Sequence, residues 1–238
     1  MSKATQQHAT SIRLFTAAAL AEGASVEGTP AQAHYLGAVM RRAAGDCLRL
    51  FNGRDGEFTA SIETLRKDRL RLTIGAQTRP QAPEPDVWLV FAVLKRDATD
   101  LVVQKATELG AAAILPVFTA RTNAGRVNTD RLRAIATEAA EQSERLTVPT
   151  LYEPRELLDL LADWPAQRRL AAALERTAAA ALAPGPGALL VGPEGGFTSR
   201  ELDVLGVAPF IQPVSLGARV LRAETAAIAG LALLLARP

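Results

Sequence analysis

Ala188-Leu-Leu-Val-Gly-Pro-Glu-Gly-Gly-Phe-Thr-Ser-Arg-Glu201 contains the strongest signal for the fold of this chain. Its apolar start, Ala188–Val191, ends at a Gly-Pro step, as a buried strand does where a loop begins. Thr198 and Glu201 have the spacing of a capping box, which predicts a helix from about Ser199. The residues between are therefore a strand-to-helix loop, where an open parallel sheet binds its ligands.

Three glycines lie within five residues of this loop, at Gly192, Gly195 and Gly196. Glycine allows positive φ and lets a ligand lie directly against main-chain groups. Pro193 stiffens the loop, and Glu194 places a carboxylate among neighbours that have almost no side chain. On the loop alone, a tight turn that binds no ligand is the alternative interpretation.

A second loop repeats this arrangement nearer the C-terminus. A short apolar run reaches Leu216-Gly217, and a long Ala/Leu helix follows, with Arg219, Arg222 and Glu224 near its start. Charged groups in such a place need a partner or a chemical task. Two loops of this kind can form the walls of one cleft.

Neither the phosphate-binding Gly-Lys-Ser/Thr step nor the Gly-x-Gly-x-x-Gly spacing is present, so a phosphate-binding loop is not expected.

Val191–Phe197 followed by Leu216–Thr225 resembles the paired signature of the RsmE-type methyltransferases. That family belongs to the SPOUT class and methylates N3 of a uridine in 16S ribosomal RNA with S-adenosylmethionine. The resemblance covers almost the whole chain in the family's order, through Leu94-Lys95, Gln104–Gly110, Glu138–Ser143 with Arg145, His34–Leu36 and Leu50–Gly53. The chain has Glu144 where glycine is commoner in the family.

The resemblance implies a set of functional residues. The residues expected to bind the cofactor are Gly192, Glu194, Gly195, Gly196, Leu216, Gly217, Val220 and Leu221. Those expected to contact RNA are Arg13, Arg41, Arg42, Arg145 and Arg219. The resemblance also implies a homodimer and a trefoil knot formed by the last strands and helix. No metal is expected, because the sequence has no Cys/His cluster.

Methylating a uridine nitrogen requires the protein to align two atoms, exclude water and deal with the N3 proton. Arg222, with Arg219, can stabilise negative charge on the pyrimidine oxygens. Glu194 or Glu224 can accept the proton, so Arg222 and Glu194 are the predicted catalytic residues. An ion pair that orients one of the arginines is the alternative role for Glu224.

Positive charge is concentrated in residues 1–79, which hold 11 Lys or Arg against 7 Asp or Glu; the remainder holds 16 against 18. Arginine forks onto phosphates and stacks on bases, which favours a nucleic-acid face in the N-terminal part. For each single arginine, an ordinary solvated surface is the alternative.

Two kinds of pattern divide the chain. In residues 1–76 the predicted elements are four short strands and one helix, which together imply a small barrel. The strands are Ser11–Phe15, Cys47–Phe51, Gly56–Ile62 and Arg69–Ile74, and the helix is Pro30–Arg41. Prolines make residues 77–86 the predicted linker. In residues 87–238 strands alternate with helices, which indicates a parallel sheet covered on both faces. The resemblance implies a PUA-like RNA-binding domain followed by a SPOUT-like methyltransferase domain, an α/β fold.

The composition indicates the class of protein and its compartment. A hydrophobic content of 48% and a mean hydropathy of +0.09 are typical of a globular protein. The single cysteine, Cys47, suits a reducing, cytoplasmic compartment, and we expect it in the core of a strand. Leu14–Ala21 is too poor in large apolar residues for an export signal, and Ala226–Ala236 is too short to span a membrane.

The sequence is therefore compatible with three functions. The first is a methyltransferase that acts on 16S ribosomal RNA or the small ribosomal subunit. The second is a non-catalytic RNA-binding protein that uses only the basic N-terminal barrel. The third is an enzyme that binds a nucleotide phosphate in the first glycine loop.

Overall fold

The computed structural model describes residues 12–123, 125–174 and 179–236. The described residues form two compact units. One contains the residues up to Pro83 together with Ala140–Thr147, and the other contains Glu84–Ala139 together with the residues from Val148 onward. The predicted first strand begins at Ser11, which lies outside the described residues.

The N-terminal unit is built on a five-stranded sheet. Its strands are β1 (Arg13–Phe15), β2 (Ser25–Gly28), β3 (Cys47–Phe51), β4 (Glu57–Leu65) and β5 (Leu70–Arg79). They are ordered β1-β3-β4-β5-β2, with β1 parallel to β3 and the other neighbours antiparallel. Alternate residues enter one apolar core, because side chains alternate between the two faces of a strand.

One short helix accompanies this sheet. α1 (Pro30–His34) begins with a complete capping box between Thr29 and Gln32 and continues as a π-helix over Tyr35–Val39. The predicted helix Pro30–Arg41 is thus present but changes its hydrogen-bonding pattern after one turn. Leu36 is its most deeply buried side chain and packs into the core of the unit.

The C-terminal unit is built on an eight-stranded parallel sheet. Its strands are β6 (Val87–Ala92), β7 (Ala113–Phe118), β8 (Thr150–Leu151), β9 (Arg155–Glu156), β10 (Leu170–Ala173), β11 (Ala180–Ala181), β12 (Gly187–Val191) and β13 (Ile211–Ser215). Its helices are α2 (Arg96–Leu109), α3 (Thr129–Gln142, whose last residues belong to the first unit), α4 (Leu157–Ala162), α5 (Ser199–Val207) and α6 (Ala223–Leu235). The order is β11-β13-β10-β12-β6-β7-β8, and β9 pairs with β7.

Neighbouring residues of the central strands point into different cores. In β12, Leu189 packs with the core that contains α2 and α6, and Leu190 packs with the core that contains α4 and α5. Both side chains are fully buried. Helices therefore cover both faces of the parallel sheet, which confirms the predicted α/β class.

Three local expectations need correction. Cys47 is exposed, because it starts β3 on the outward face and Leu48 takes the inward position. β5 continues to Arg79, three residues into the segment predicted as a linker, and stops at Pro80, which has no N–H to donate. The sequence pattern also predicts a helix over Asp130–Leu146, but α3 ends at Gln142, because Glu144 takes a left-handed conformation with φ of 60°.

No helix within residues 12–123, 125–174 and 179–236 combines the length and the apolar composition that crossing a membrane requires.

Candidate functional site

Three parallel strands bring the two glycine loops to one edge of the sheet. β10 pairs with β12 on one side and β13 on the other, so that Ala173 is aligned with both Val191 and Val214. The first loop, residues 192–198, follows β12, and the second loop, residues 216–222, follows β13. Because parallel strands end at the same edge, both loops flank the carboxyl end of β10.

The first loop contains a tight turn. Gly196 N–H donates to the Pro193 carbonyl at 2.9 Å, and Gly196 has a φ of +67°, which favours glycine. Gly192 is required for a different reason, because a β-carbon there would lie 2.8 Å from the ring of Phe197. Within the described residues, the main-chain N–H groups of Glu194 and Gly195 form no hydrogen bond.

The predicted capping box fixes the exit from this loop. Glu201 accepts hydrogen bonds from the main-chain N–H groups of Thr198 (2.7 Å) and Ala120 (2.9 Å), and α5 begins at Ser199 as predicted. Burial opposes ionisation of Glu201, but the hydrogen bonds from Thr198 and Ala120 outweigh it and lower the pKa of the carboxyl group. The carboxylate thus ties the loop after β7 to the loop after β12.

A third segment, the turn Thr119–Thr122 after β7, contacts the first loop directly. The Arg121 Nη1 atom donates to the Gly195 carbonyl at 2.7 Å and to the Phe197 carbonyl at 3.5 Å. Arg121 is not among the residues that the sequence predicted to bind the cofactor. A signal was available, since a lone arginine after a buried parallel strand lies at the ligand-binding edge of such a sheet.

The second loop is open and apolar at its centre. Gly217 has a φ of +125°, and its N–H donates to the Ser215 hydroxyl at 3.2 Å. Val220 is 61% exposed, whereas Leu216 and Leu221 pack partly against the core around α6. The second loop thus presents the exposed apolar side chain of Val220 three residues after a glycine whose positive φ other residues rarely adopt.

The charged residues of both loops are accessible. Arg219, Arg222 and Glu194 are exposed, and Glu224 is half-buried in the first turn of α6. In the part of the chain that the structure describes, these four side chains form no hydrogen bond or ion pair. The alternative in which Glu224 orients an arginine by pairing with it is therefore not observed among these residues.

The basic residues of the N-terminal unit fall into two groups. Arg41 is exposed and Arg42 is half-buried, as a nucleic-acid contact requires. Arg13 and Arg145 are only 4% and 8% exposed, so the expectation that they contact RNA needs correction. Arg13 can be buried because its guanidinium pairs with the fully buried carboxylate of Glu57, 2.6 Å away.

Arg13 also closes the end of α3. Its guanidinium donates to the carbonyls of Ala140 and Glu141, both at 3.0 Å, and of Arg145 at 2.6 Å. Carbonyls at a helix C-terminus lack intrahelical partners, and a guanidinium supplies several donors at once. Burial opposes ionisation of Glu57, yet the hydrogen bond from Arg13 helps to lower its pKa below the usual value. Arg13 is thus a structural residue of its unit.

Two protein-family models match the chain. A model described as an RNA methyltransferase domain matches residues 81–235, more than half of the chain. A model described as an RNA methyltransferase PUA domain matches residues 29–75. Among curated proteins, the chain is 35% identical over 227 residues to a ribosomal RNA small subunit methyltransferase E from Rickettsia conorii, covering 92% of this chain and 93% of the relative.

Two solved structures share the fold across nearly the whole chain. A putative methyltransferase from Legionella pneumophila, in complex with bound cofactor SAM, is 31% identical with a TM-score of 0.84, and the match covers 92% of this chain and 95% of that one. A ribosomal RNA small subunit methyltransferase E from Neisseria gonorrhoeae, bound to S-adenosyl methionine, is 29% identical with a TM-score of 0.82, and the match covers 93% of this chain and 95% of that one.

Proposed function

This chain belongs to the ribosomal RNA small subunit methyltransferase E family, and we propose that it methylates N3 of a uridine in 16S ribosomal RNA. The family makes it an S-adenosylmethionine-dependent methyltransferase of ribosomal RNA. The position N3 and the choice of a uridine rest on the resemblance of the two glycine loops. The observation that carries the proposal is the meeting of these loops at the carboxyl end of β10.

The residues of this edge fit S-adenosylmethionine. The molecule combines an apolar adenine face with a polar amino-acid end and a positive sulfonium. Val220, 61% exposed, and Leu221 suit the adenine, and main-chain groups of Gly195 and Gly217 suit the polar edges. Glu194, which has no partner among the described residues, suits a positive group. Gly192, Gly196 and Leu216 complete the proposed pocket by shaping the two loops.

When bound, S-adenosylmethionine supplies an electrophilic methyl group, so the protein contributes alignment and electrostatics. We assign to Arg222 the stabilisation of negative charge on the uridine oxygens as the N3 proton leaves. Glu194 is the proposed proton acceptor. Both side chains are exposed in the loops that flank β10 and are free to turn toward a substrate.

The N-terminal unit is the proposed RNA-binding part. Arg41 and Arg42 follow Met40, the C-cap of its π-helix, and Arg41 has a φ of 52°, a conformation that turns the chain sharply at this point. Arg219 in the second loop is the third proposed RNA contact. The proposed division is a PUA-like domain over residues 1–76, a linker over 77–86 and a methyltransferase domain over 87–238.

Three further features are proposed with this function. The chain forms a homodimer in which each site borrows residues from the partner, and it works in the cytoplasm, where its ribosomal RNA substrate is made. The last strands and helix form a trefoil knot; the position of β12 between β6 and β10 in the strand order supports this proposal. No metal takes part in the proposed reaction.

Mapping modified nucleotides in small-subunit ribosomal RNA from cells that lack this protein tests the proposal. A methyl group on N3 blocks Watson–Crick pairing, so reverse transcription stops at the modified uridine. We expect one such stop to be lost in the deletion strain. Wild type should restore it, Arg222→Ala should not, and the exposed-surface control Arg200→Ala should.

Loss of a methyl group on another base would refute the assignment of uridine N3. An unchanged pattern in the deletion strain would refute the proposed substrate. Binding of the N-terminal unit to RNA without any change in methylation would favour the non-catalytic alternative.

A further inference from the structure

Arg121 contacts the first glycine loop with both its guanidinium group and its aliphatic stem. Arg121 Nη1 lies 2.7 Å from the Gly195 carbonyl oxygen. A β-carbon on Gly195 would lie 3.3 Å from Cβ and 3.4 Å from Cδ of Arg121, so the aliphatic stem covers the side of Gly195 where a side chain would stand. The arginine therefore contacts both the carbonyl and the bare face of one glycine.

The turn that carries Arg121 is itself held in place. Thr122 N–H donates to the Thr119 carbonyl at 3.0 Å, and Thr119 N–H donates to the Thr122 hydroxyl at 2.9 Å. The next residue in the turn, Ala120, donates its N–H to the buried carboxylate of Glu201. Arg121 thus projects from a short, doubly closed turn that is anchored to the start of α5.

Some main-chain groups of the first loop are hydrogen-bonded within the protein and others are not. Arg121 donates to the Gly195 carbonyl, and the Gly196 N–H donates to the Pro193 carbonyl at 2.9 Å. These two bonds fix the peptide between Gly195 and Gly196. The main-chain N–H groups of Glu194 and Gly195 have no partner in the described part of the chain, and they remain for a ligand.

We propose that Arg121 is a positioning residue that holds the Gly195 carbonyl and so fixes the cofactor loop in the conformation that binds S-adenosylmethionine. It acts through the loop and not on the reacting atoms. The proposal rests on the proposed function, because it concerns the affinity of the same site. A charge-assisted hydrogen bond to a carbonyl is stronger than a neutral one, which makes arginine effective in this role.

Titration calorimetry with S-adenosylhomocysteine, together with methylation kinetics, tests the proposal on four proteins. These are wild type, Arg121→Ala, Arg121→Lys and Arg126→Ala; Arg126 is an exposed arginine of the same inter-element loop. We expect Arg121→Ala to weaken binding of S-adenosylhomocysteine by about tenfold and to raise KM for S-adenosylmethionine similarly. Lys can donate one hydrogen bond to the carbonyl, so Arg121→Lys should recover binding to within about threefold of wild type.

KM for the RNA and the Arg126→Ala control distinguish a positioning role of Arg121 from a general structural one. KM for the RNA should stay within about twofold of wild type, and Arg126→Ala should leave every constant unchanged. A merely structural defect would lower the active fraction, and hence kcat, without changing either KM or the dissociation constant. If Arg121→Ala fails to fold, Arg121→Gln, which keeps a neutral donor, takes its place and should bind more weakly than Arg121→Lys.

Equal affinity of Arg121→Ala and wild type would overturn the proposal, as would a change confined to KM for the RNA. Wild-type protein that fails to bind S-adenosylhomocysteine would instead overturn the proposed function. The two failures are therefore distinguishable within one experiment.

Discussion

Gly230 in α6 lies directly against Leu189 in β12, and a β-carbon on residue 230 would lie 2.5 Å from Leu189 Cδ2. Leu189 is fully buried and cannot move aside freely. We predict that Gly230→Ala lowers the free energy of unfolding by about 1–2 kcal/mol, because overpacking outweighs the better helix propensity of alanine. Urea unfolding measures the change.

Gly206 in α5 provides the matched control, since a β-carbon there would meet nothing within 4 Å. Gly206→Ala should raise the free energy of unfolding, by up to about 1 kcal/mol. Equal effects of the two substitutions would contradict the close packing of α6 against β12.

Glu144, which follows α3, should be replaceable by glycine with a gain in stability. Its φ of 60° is strained for glutamate but not for glycine, and its carboxylate only reaches Arg49 at 3.4 Å. We predict that Glu144→Gly raises the free energy of unfolding by about 0.5–1 kcal/mol. Glu144→Ala separates the two causes, because it removes the ion pair and keeps the strain; stabilisation by both substitutions would show that strain is not the reason.

The stability of the C-terminal unit should depend on the ionisation of Glu201. Its pKa is lowered in the folded protein, so the carboxylate stabilises the fold above the unfolded-state value of about 4.5, and this contribution disappears as the pH falls through the folded-state pKa. Glu201→Gln should therefore be less stable than wild type at pH 7, by about 1–2 kcal/mol. The difference should shrink below about pH 4.5.

Urea unfolding at several pH values between 7 and 3 checks this dependence. Asp203→Asn is the control, since Asp203 is an exposed carboxylate of the same helix and has no partner in the described residues. A gap between Glu201→Gln and wild type that is constant from pH 7 to 3 would show that the charge of Glu201 is not what stabilises the loop.

The sequence predicted the first loop well because its signals are local. Thr198 and Glu201 define a cap within four residues, and helix α5 begins where that cap requires. The second partner of Glu201, the Ala120 N–H, lies 81 residues away and leaves no mark in the spacing of the motif. Arg121 was missed for the same reason.

The burial of Arg13 shows where reasoning from charge fails. An arginine in a basic segment looks like an RNA contact, but Arg13 is neutralised by Glu57, 44 residues away in β4. Composition counts charges without pairing them, and only the register of β1, β3 and β4 decides which are buried together.

Arg222 should be needed for methyl transfer and not for binding of the cofactor. Because it stabilises charge that develops on the substrate, Arg222→Ala should lower kcat by about 100-fold. The affinity for S-adenosylhomocysteine should stay within about tenfold of wild type. A methylation assay on small-subunit RNA measures the first quantity and calorimetry the second; full activity of Arg222→Ala would remove this residue from the mechanism.

Calorimetric titration of S-adenosylhomocysteine into wild type, Gly195→Arg and Gly206→Arg tests most directly whether the two glycine loops form the cofactor site. An arginine at position 195 would collide with Arg121 and fill the loop, whereas position 206 has open space around it. We predict micromolar binding to wild type and to Gly206→Arg, and none to a folded Gly195→Arg protein. Undiminished binding to Gly195→Arg, or none to wild type, would contradict the assignment of this site.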